Sequence, residues 1–182
     1  MNPASDELRY PVGKFEYVPV AGKEQRERYI GEIAEQPQIL RELVKGWTPE
    51  QLRTPYRPGG WTVLQVIHHL ADNNMNAYVR FRRGLTEDNP VIPGYRQDDW
   101  AEWADYHTAG AEASLLLIEA VHARFAALLR TLSEEDYQRT FRNEQLGGMT
   151  LDAALQRFAW HVRHHTAQIQ SLADREGWKT KS

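Results

Sequence analysis

The 182-residue sequence contains no cysteine. This absence excludes disulfide bonds, cysteine-ligated zinc and a cysteine nucleophile, so any thiol in the chemistry must come from a second molecule. It also agrees with a cytoplasmic location. The sequence lacks a long apolar run, and its N-terminus lacks the charged and apolar regions of a secretory signal. We therefore expect a cytoplasmic protein that does not cross a membrane.

Charge of one sign is not in large excess either, because 22 lysines and arginines accompany 25 aspartates and glutamates. No basic block occurs, which argues against nucleic acid as a partner. The sequence is 41% hydrophobic and 10% aromatic, a composition typical of a folded globular protein. Length and composition together predict one domain over residues 1–182.

Hydrophobic periodicity predicts four long amphipathic helices, at about residues 22–46, 62–86, 110–131 and 150–176. Pro37 is expected to kink or divide the first of them. Residues 86–108 form a long connection, and strand-like alternation is weak throughout. The pattern predicts an all-α four-helix bundle with one long crossover connection, preceded by an extended N-terminal arm at residues 1–21.

Capping residues mark the ends of two of these helices. Thr62 is followed three positions later by Gln65, which is the spacing of a capping box. Thr150 is a suitable N-cap for the fourth helix, and Gly177 a suitable stop. The sequence therefore predicts where the second and fourth helices begin.

Five of the seven histidines lie in two clusters, at His68–His69 on the second helix and at His161, His164 and His165 on the fourth. His161 and His165 are spaced i and i+4 along the edge of the apolar stripe. Such a pair, with a third imidazole from another helix, makes a three-nitrogen metal site that leaves positions for water or substrate. Periodicity does not decide between His68 and His69.

Two aromatic residues of the fourth helix point away from its apolar stripe, as judged from helical spacing. His164 is expected to face solvent or a partner. Trp160 is a candidate anchor for a contact between subunits.

A polar strip on the second helix offers candidate pocket residues. Asn73, Asn76 and Arg80 follow His69 at spacings that place all four on one strip. The same strip is also typical of the solvated face of an exterior helix, and both interpretations stay open. His122, which borders the core stripe of the third helix, is a further candidate, although a lone inward histidine is more often structural.

The second helix ends in a group of three arginines, Arg80, Arg82 and Arg83. They are placed to interact with the negative end of the helix dipole. The alternative is an anion-binding wall for a substrate that carries a carboxylate. The sequence leaves both interpretations open.

Two segments, Pro55–Asp72 and Trp160–His165, together resemble the DinB/YfiT-like family, in which metal-dependent hydrolases stand close to bacillithiol transferases. The resemblance covers most of the chain. It implies a four-helix bundle, a homodimer and one zinc or nickel ion bound by three histidines. The ligands that it implies are His69, His161 and His165.

The resemblance and the histidine pattern together predict an enzyme. One hypothesis is an S-transferase that joins a low-molecular-weight thiol of the bacillithiol type to an electrophilic small molecule. A second is a metal-dependent hydrolase of small molecules that uses metal-activated water, and a third is a metal-binding or sensor module without turnover. The sequence shows no carboxylate base beside the ligands, because Asp72 is more typical of a surface or supporting group, so thiol transfer is preferred to hydrolysis.

Overall fold

The computed structural model describes residues 3–19 and 22–178. The remaining residues of the predicted domain and arm lie outside the described residues. Among the residues described, none of the helices combines the length and the apolar character that crossing a bilayer requires.

The described chain contains helices and three short strands. In chain order these are α1 Pro3–Arg9, α2 Lys23–Val44, α3 Pro49–Leu52, α4 Val63–Thr86, β1 Val91–Ile92, α5 Gln97–Ala101, α6 Ala104–Thr108, α7 Ala111–Leu129, α8 Glu134–Gln138, β2 Thr140–Asn143, β3 Gly147–Thr150 and α9 Leu151–Glu176.

The four long helices α2, α4, α7 and α9 form a bundle. α2 and α4 each pack against both α7 and α9, so that the apolar stripes of all four meet in one core. Fully buried members of that core include Ile33, Leu40, Ile67, Leu70, Ile118, Phe125, Leu155 and Val162. This confirms the predicted four-helix bundle, with β1, α5 and α6 in the long connection between α4 and α7.

Local capping explains where α4 and α9 begin. The Thr62 hydroxyl accepts a hydrogen bond from the Gln65 backbone, and the Gln65 side chain accepts one from the Thr62 backbone. Thr150 caps α9 in the same way by accepting from the Ala153 backbone. Gly177 ends α9 in the left-handed region at φ 65°, where a residue with a side chain would be strained. These predicted boundaries are confirmed.

Of the two effects predicted for Pro37, division of α2 does not occur, because Pro37 lies inside a continuous helix with its ring buried. Proline has no N–H, so the carbonyl of Ile33 loses its helical donor. The Nδ1 of His122 on α7 lies 2.6 Å from that carbonyl oxygen and donates to it. The Nε2 of His122 lies 2.6 Å from the side-chain amide of Asn74 on α4. His122 is therefore a core residue that joins three helices, and its prediction as a pocket residue was wrong.

A small sheet, which the sequence did not predict, joins the long connection to the start of α9. β1 pairs in parallel with β2, and β2 pairs antiparallel with β3. Gly147 and Gly148 begin β3, and glycine is unfavourable in strands. The strand pattern is consequently absent from this part of the sequence, although Phe141 of β2 is buried in the core.

The N-terminal arm begins with α1 and then runs in irregular conformation along α9. Tyr10 packs on His164, and Phe15 packs on Trp160, whose indole N–H donates to the Gly13 carbonyl. His164, expected to face solvent or a partner, is therefore buried. Trp160 contacts the arm of its own chain, and its contact between subunits stays a prediction.

Candidate metal centre

The three histidines that the sequence selected as metal ligands lie together in the structure. His69 comes from α4, and His161 and His165 lie one turn apart on α9. One ring nitrogen of each lies within 4.8 Å of the others, and the Nε2 atoms of His69 and His161 are 3.2 Å apart. Among the described residues, no fourth histidine or carboxylate belongs to this group. The packing of α4 against α9 thus brings three imidazoles to one point.

The outward nitrogen of each imidazole has a partner of its own. Nδ1 of His69 lies 3.1 Å from the Tyr95 hydroxyl, and Nδ1 of His161 lies 3.2 Å from the side-chain amide of Asn73. Nδ1 of His165 lies 2.9 Å from Oε1 of Gln168. Partners of this kind fix the tautomer and orientation of metal-ligating histidines.

Gln168 shows how firmly the tautomer of His165 is set. Its side-chain N–H₂ donates to the Arg9 carbonyl at 2.8 Å and lies 2.9 Å from Nε2 of His164. Because the amide nitrogen is occupied, Oε1 can only accept the Nδ1 proton of His165. The Nε2 lone pair of His165 is then left for an ion. The structure places Nδ2 of Asn73 against Nδ1 of His161, and the same amide turned by 180° would present Oδ1, which would accept the Nδ1 proton.

Burial keeps the three imidazoles neutral. Desolvation, with a smaller contribution from His164, lowers the pKa of His69 to about 3. Desolvation also lowers the pKa of His161 and of His165 well below the usual range, assisted by the neighbouring imidazoles. Neutral imidazole is the form that coordinates a metal, so the donor set suits a divalent ion.

Trp61, which precedes the N-cap of α4, covers the centre. The centroid of its ring lies 4.8 Å from that of His69. It lies 6.5 Å from that of His165, with an angle of 17° between the two ring planes. The turn before it requires glycine at two positions. Gly59 has a φ of 67°, and a Cβ on Gly60 would lie 2.8 Å from the Arg57 side chain.

Two cavities meet at His161. The first, of about 130 Å³, is lined by a group of apolar side chains and by Asn73, Arg80, Tyr95, Gln97, Asn143, Gln145, Arg157 and His161. The second, of about 340 Å³, lies under the N-terminal arm and reaches both His161 and His165. The centre is therefore open to a small molecule from more than one side.

The predicted pocket residues divide into two groups. Asn73 and Arg80 line the first cavity. Asn76 does not line it, because its amide donates to the Asp72 carbonyl one turn earlier on the same helix, at 2.8 Å. Asn76 therefore lies outside the first cavity, as the buried core residue His122 does.

Only the first of the three arginines at the end of α4 faces the cavity. Arg82 donates to the Tyr78 hydroxyl, and Arg83 pairs with Glu87 one turn ahead. The cavity receives a second guanidinium from Arg157 on α9, which the sequence analysis missed. A helical spacing of four residues before His161 was the only indication for Arg157.

No carboxylate lines the first cavity within the described residues, and Asp98 alone lines the second. Asp72 lies outside both, where it accepts a hydrogen bond from the Tyr106 hydroxyl. Burial raises the pKa of Asp72 above its usual value. Among the described residues, Asp98 is thus the one carboxylate that lines a cavity beside the three histidines.

Comparisons with known proteins agree with this site. The model of the DinB superfamily matches residues 32–169. A protein of Geobacillus kaustophilus (strain HTA426), named "Putative metal-dependent hydrolase", is 45% identical over 174 residues, which cover 95% of this chain and 98% of that one. A protein of Bacillus cereus (strain 03BB102) with the same name is 43% identical over 173 residues, covering 95% and 99%.

A solved structure matches along nearly the whole chain. YfiT from Bacillus subtilis, described as "a probable metal-dependent hydrolase with an unusual four-helix bundle topology", superimposes with a TM-score of 0.92 at 42% identity. The match covers 95% of this chain and 99% of that one. The names of the relatives and the histidine cluster both support metal dependence. The chain therefore belongs to the DinB/YfiT-like family of the DinB superfamily.

Proposed function

We propose that this protein is a metal-dependent enzyme that binds one divalent ion, zinc or nickel, through His69, His161 and His165. The observation that carries the proposal is the convergence of three neutral imidazoles whose outward nitrogens are already engaged. A closed structural zinc site uses four protein ligands, whereas three ligands are typical of catalytic sites. A bound ion would supply Lewis acidity, which lowers the pKa of a water or thiol beside it.

The nucleophile that we propose is a thiol from a small cosubstrate of the bacillithiol type. A thiol needs no carboxylate to remove its proton near neutral pH once its pKa is lowered. No carboxylate lines the first cavity in the described part of the chain, and the sequence contains no cysteine. In the transfer, the sulfur forms a bond to an electrophilic carbon, the leaving group departs with its electron pair, and the thiol proton passes to solvent.

The residues of the chain have separate parts in this scheme. Tyr95, Asn73 and Gln168 orient the imidazoles, and Trp61 shields two of them from solvent. The electrophile occupies the first cavity, whose wall includes His161.

Hydrolysis is the second candidate, and the names of the relatives favour it. The same centre would then activate water in place of a thiol. A homodimer and a cytoplasmic location, both expected from the sequence, remain predictions.

The cobalt-substituted protein tests the choice between these functions. We expect bacillithiol to produce a saturable charge-transfer absorption band in the wild type and none in His161→Ala. His107→Ala, which removes an exposed histidine outside the centre, is the matched control and should behave as the wild type. Bound cobalt without a band from bacillithiol or glutathione would contradict thiol transfer and leave hydrolysis. A protein that binds no metal would contradict both and favour the non-enzymatic module.

A further inference from the structure

The first cavity holds two guanidinium groups that lack acidic partners among the described residues. Arg80 of α4 and Arg157 of α9 both line it. No ion pair joins either one to a carboxylate in the part of the chain that the structure describes, although Arg26, Arg41, Arg83, Arg96 and Arg163 all have such partners. The two cavity arginines therefore differ from these five paired arginines.

The surroundings of both arginines are unfavourable to an unpaired cation. Nε of Arg80 is buried without a hydrogen-bond partner among the described residues. Burial lowers the pKa of both side chains, and the charge of Arg157 lowers that of Arg80 further. The Arg157 guanidinium lies 5.4 Å from the centre of the Phe15 ring, which gives only weak compensation. Two desolvated cations that face one cavity are best neutralised by an anion that enters it.

The rest of the cavity wall combines apolar side chains with the amides of Asn73, Gln97, Asn143 and Gln145, and the cavity is small. Phe81, Phe141, Leu146 and Met149 lie in its wall. Its volume of about 130 Å³ is well beyond the roughly 10–15 Å³ that a single water needs. A compact organic body therefore fits beside the two charges.

We propose that Arg80 and Arg157 together bind the oxyanion of a small acid, a carboxylate or phosphate on an apolar body, whose reactive part faces the metal centre. Two planar guanidinium forks suit the several oxygens of such a group. Arg157 lies one helical turn before His161, and both line the same cavity, so the anchored acid lies beside the centre. The orientation of the acid, with its reactive part toward the metal centre, rests on the proposed function. The inference adds the class of the substrate.

Calorimetric titration of the zinc-loaded full chain tests the inference. Phenylacetate and phenyl phosphate are the anionic probes, and phenylacetamide is the neutral probe of the same shape as the carboxylate. We expect at least one anion to bind about tenfold or more tightly than the amide. Arg80→Gln and Arg157→Gln should each lower the ratio of anion affinity to amide affinity by about tenfold. Arg130→Gln, which removes one exposed charge outside the cavity, should leave it unchanged.

Arg80→Lys and Arg157→Lys keep the charge without the planar fork, and they should retain part of the preference if either glutamine variant does not fold. Equal binding of the acids and the amide would overturn the inference, as would equal binding by the wild type and the glutamine variants.

The His165→Ala variant separates this inference from the proposed function. Anion preference that persists in this variant shows that the arginines, and not the ion, bind the acid. Loss of the preference together with the metal would overturn the inference. A protein that fails to bind metal contradicts the proposed function but leaves the anion preference measurable.

Discussion

The core histidine His122 and the three histidines of the metal centre have similar environments and opposite arrangements. At His122 both ring nitrogens have protein partners, the Ile33 carbonyl and the Asn74 amide. At the metal centre only Nδ1 of each ring is engaged by such a group, and the remaining nitrogens converge on one another. Burial lowers the pKa in both places. The comparison teaches that convergence of ring nitrogens, and not burial, distinguishes the site for a ligand from the core.

The largest expected effect is the loss of the metal from His161→Ala. Removal of one of three ligands should weaken zinc affinity by roughly a thousandfold or more, because a site with two imidazoles no longer holds the ion firmly. Competition with a chromogenic chelator measures the affinity. His122→Leu should retain the wild-type affinity, and a comparable loss in that variant would remove the distinction between the two groups.

The His122→Leu substitution should instead reduce the free energy of unfolding, by about 2–4 kcal/mol. It leaves the Ile33 carbonyl and the Asn74 amide buried without their partner. Urea unfolding of the metal-free protein measures the change.

Pro37→Ala provides the control, because it returns a backbone donor to the Ile33 carbonyl. In that background the His122→Leu penalty should shrink by about 1 kcal/mol. An unchanged penalty would show that the carbonyl freed by Pro37 is not what His122 serves.

His122 should also make the free energy of unfolding depend on pH, by somewhat less than the His122→Leu substitution changes it. Burial lowers its pKa from about 6.5 to about 4, so the unfolded chain takes up the proton first. Stability from this group is complete above pH 6.5 and is lost as the pH falls through 4. Between pH 7 and pH 4 the loss should be on the order of 2–3 kcal/mol. His122→Leu should lack this component, so parallel pH profiles for wild type and variant would contradict the assignment.

The smallest effect should come from the residues that orient the ligands. Gln168→Leu removes the acceptor for the Nδ1 proton of His165 without touching the ion. Zinc affinity should fall about 10- to 100-fold, less than for the loss of a ligand. Gln170→Leu, on the exposed side of the same helix, is the matched control. An equal loss of zinc affinity in both variants would mean that a general change in α9, and not the missing acceptor, is responsible.

Local sequence patterns predicted most of the bundle and the positions of the histidines. Thr62, Gln65 and Thr150 act within a few residues of themselves, so their capping roles follow from spacing alone. The pairing of His161 with His165 follows in the same way from helical periodicity. The choice of His69 over His68 came from the family resemblance, and the structure places His69 at the centre.

The features that the sequence did not predict depend on segments that are distant along the chain. Tyr95 reaches His69 from the long connection, and the N-terminal arm buries His164. Gln168 is close in sequence, but its role depends on the Arg9 carbonyl of that same arm. Periodicity cannot detect contacts between an irregular segment and a helix, which is why these residues were missed.

X-ray absorption spectroscopy of the zinc-loaded protein shows how many imidazoles bind the ion. We expect one zinc per chain with three imidazole nitrogens, and one or two further light-atom ligands that a small molecule can replace. His122→Leu should give the same spectrum, and His165→Ala should lose the three-imidazole signature. A spectrum with fewer than three imidazoles in the wild type, or with four protein ligands, would contradict an open three-histidine centre.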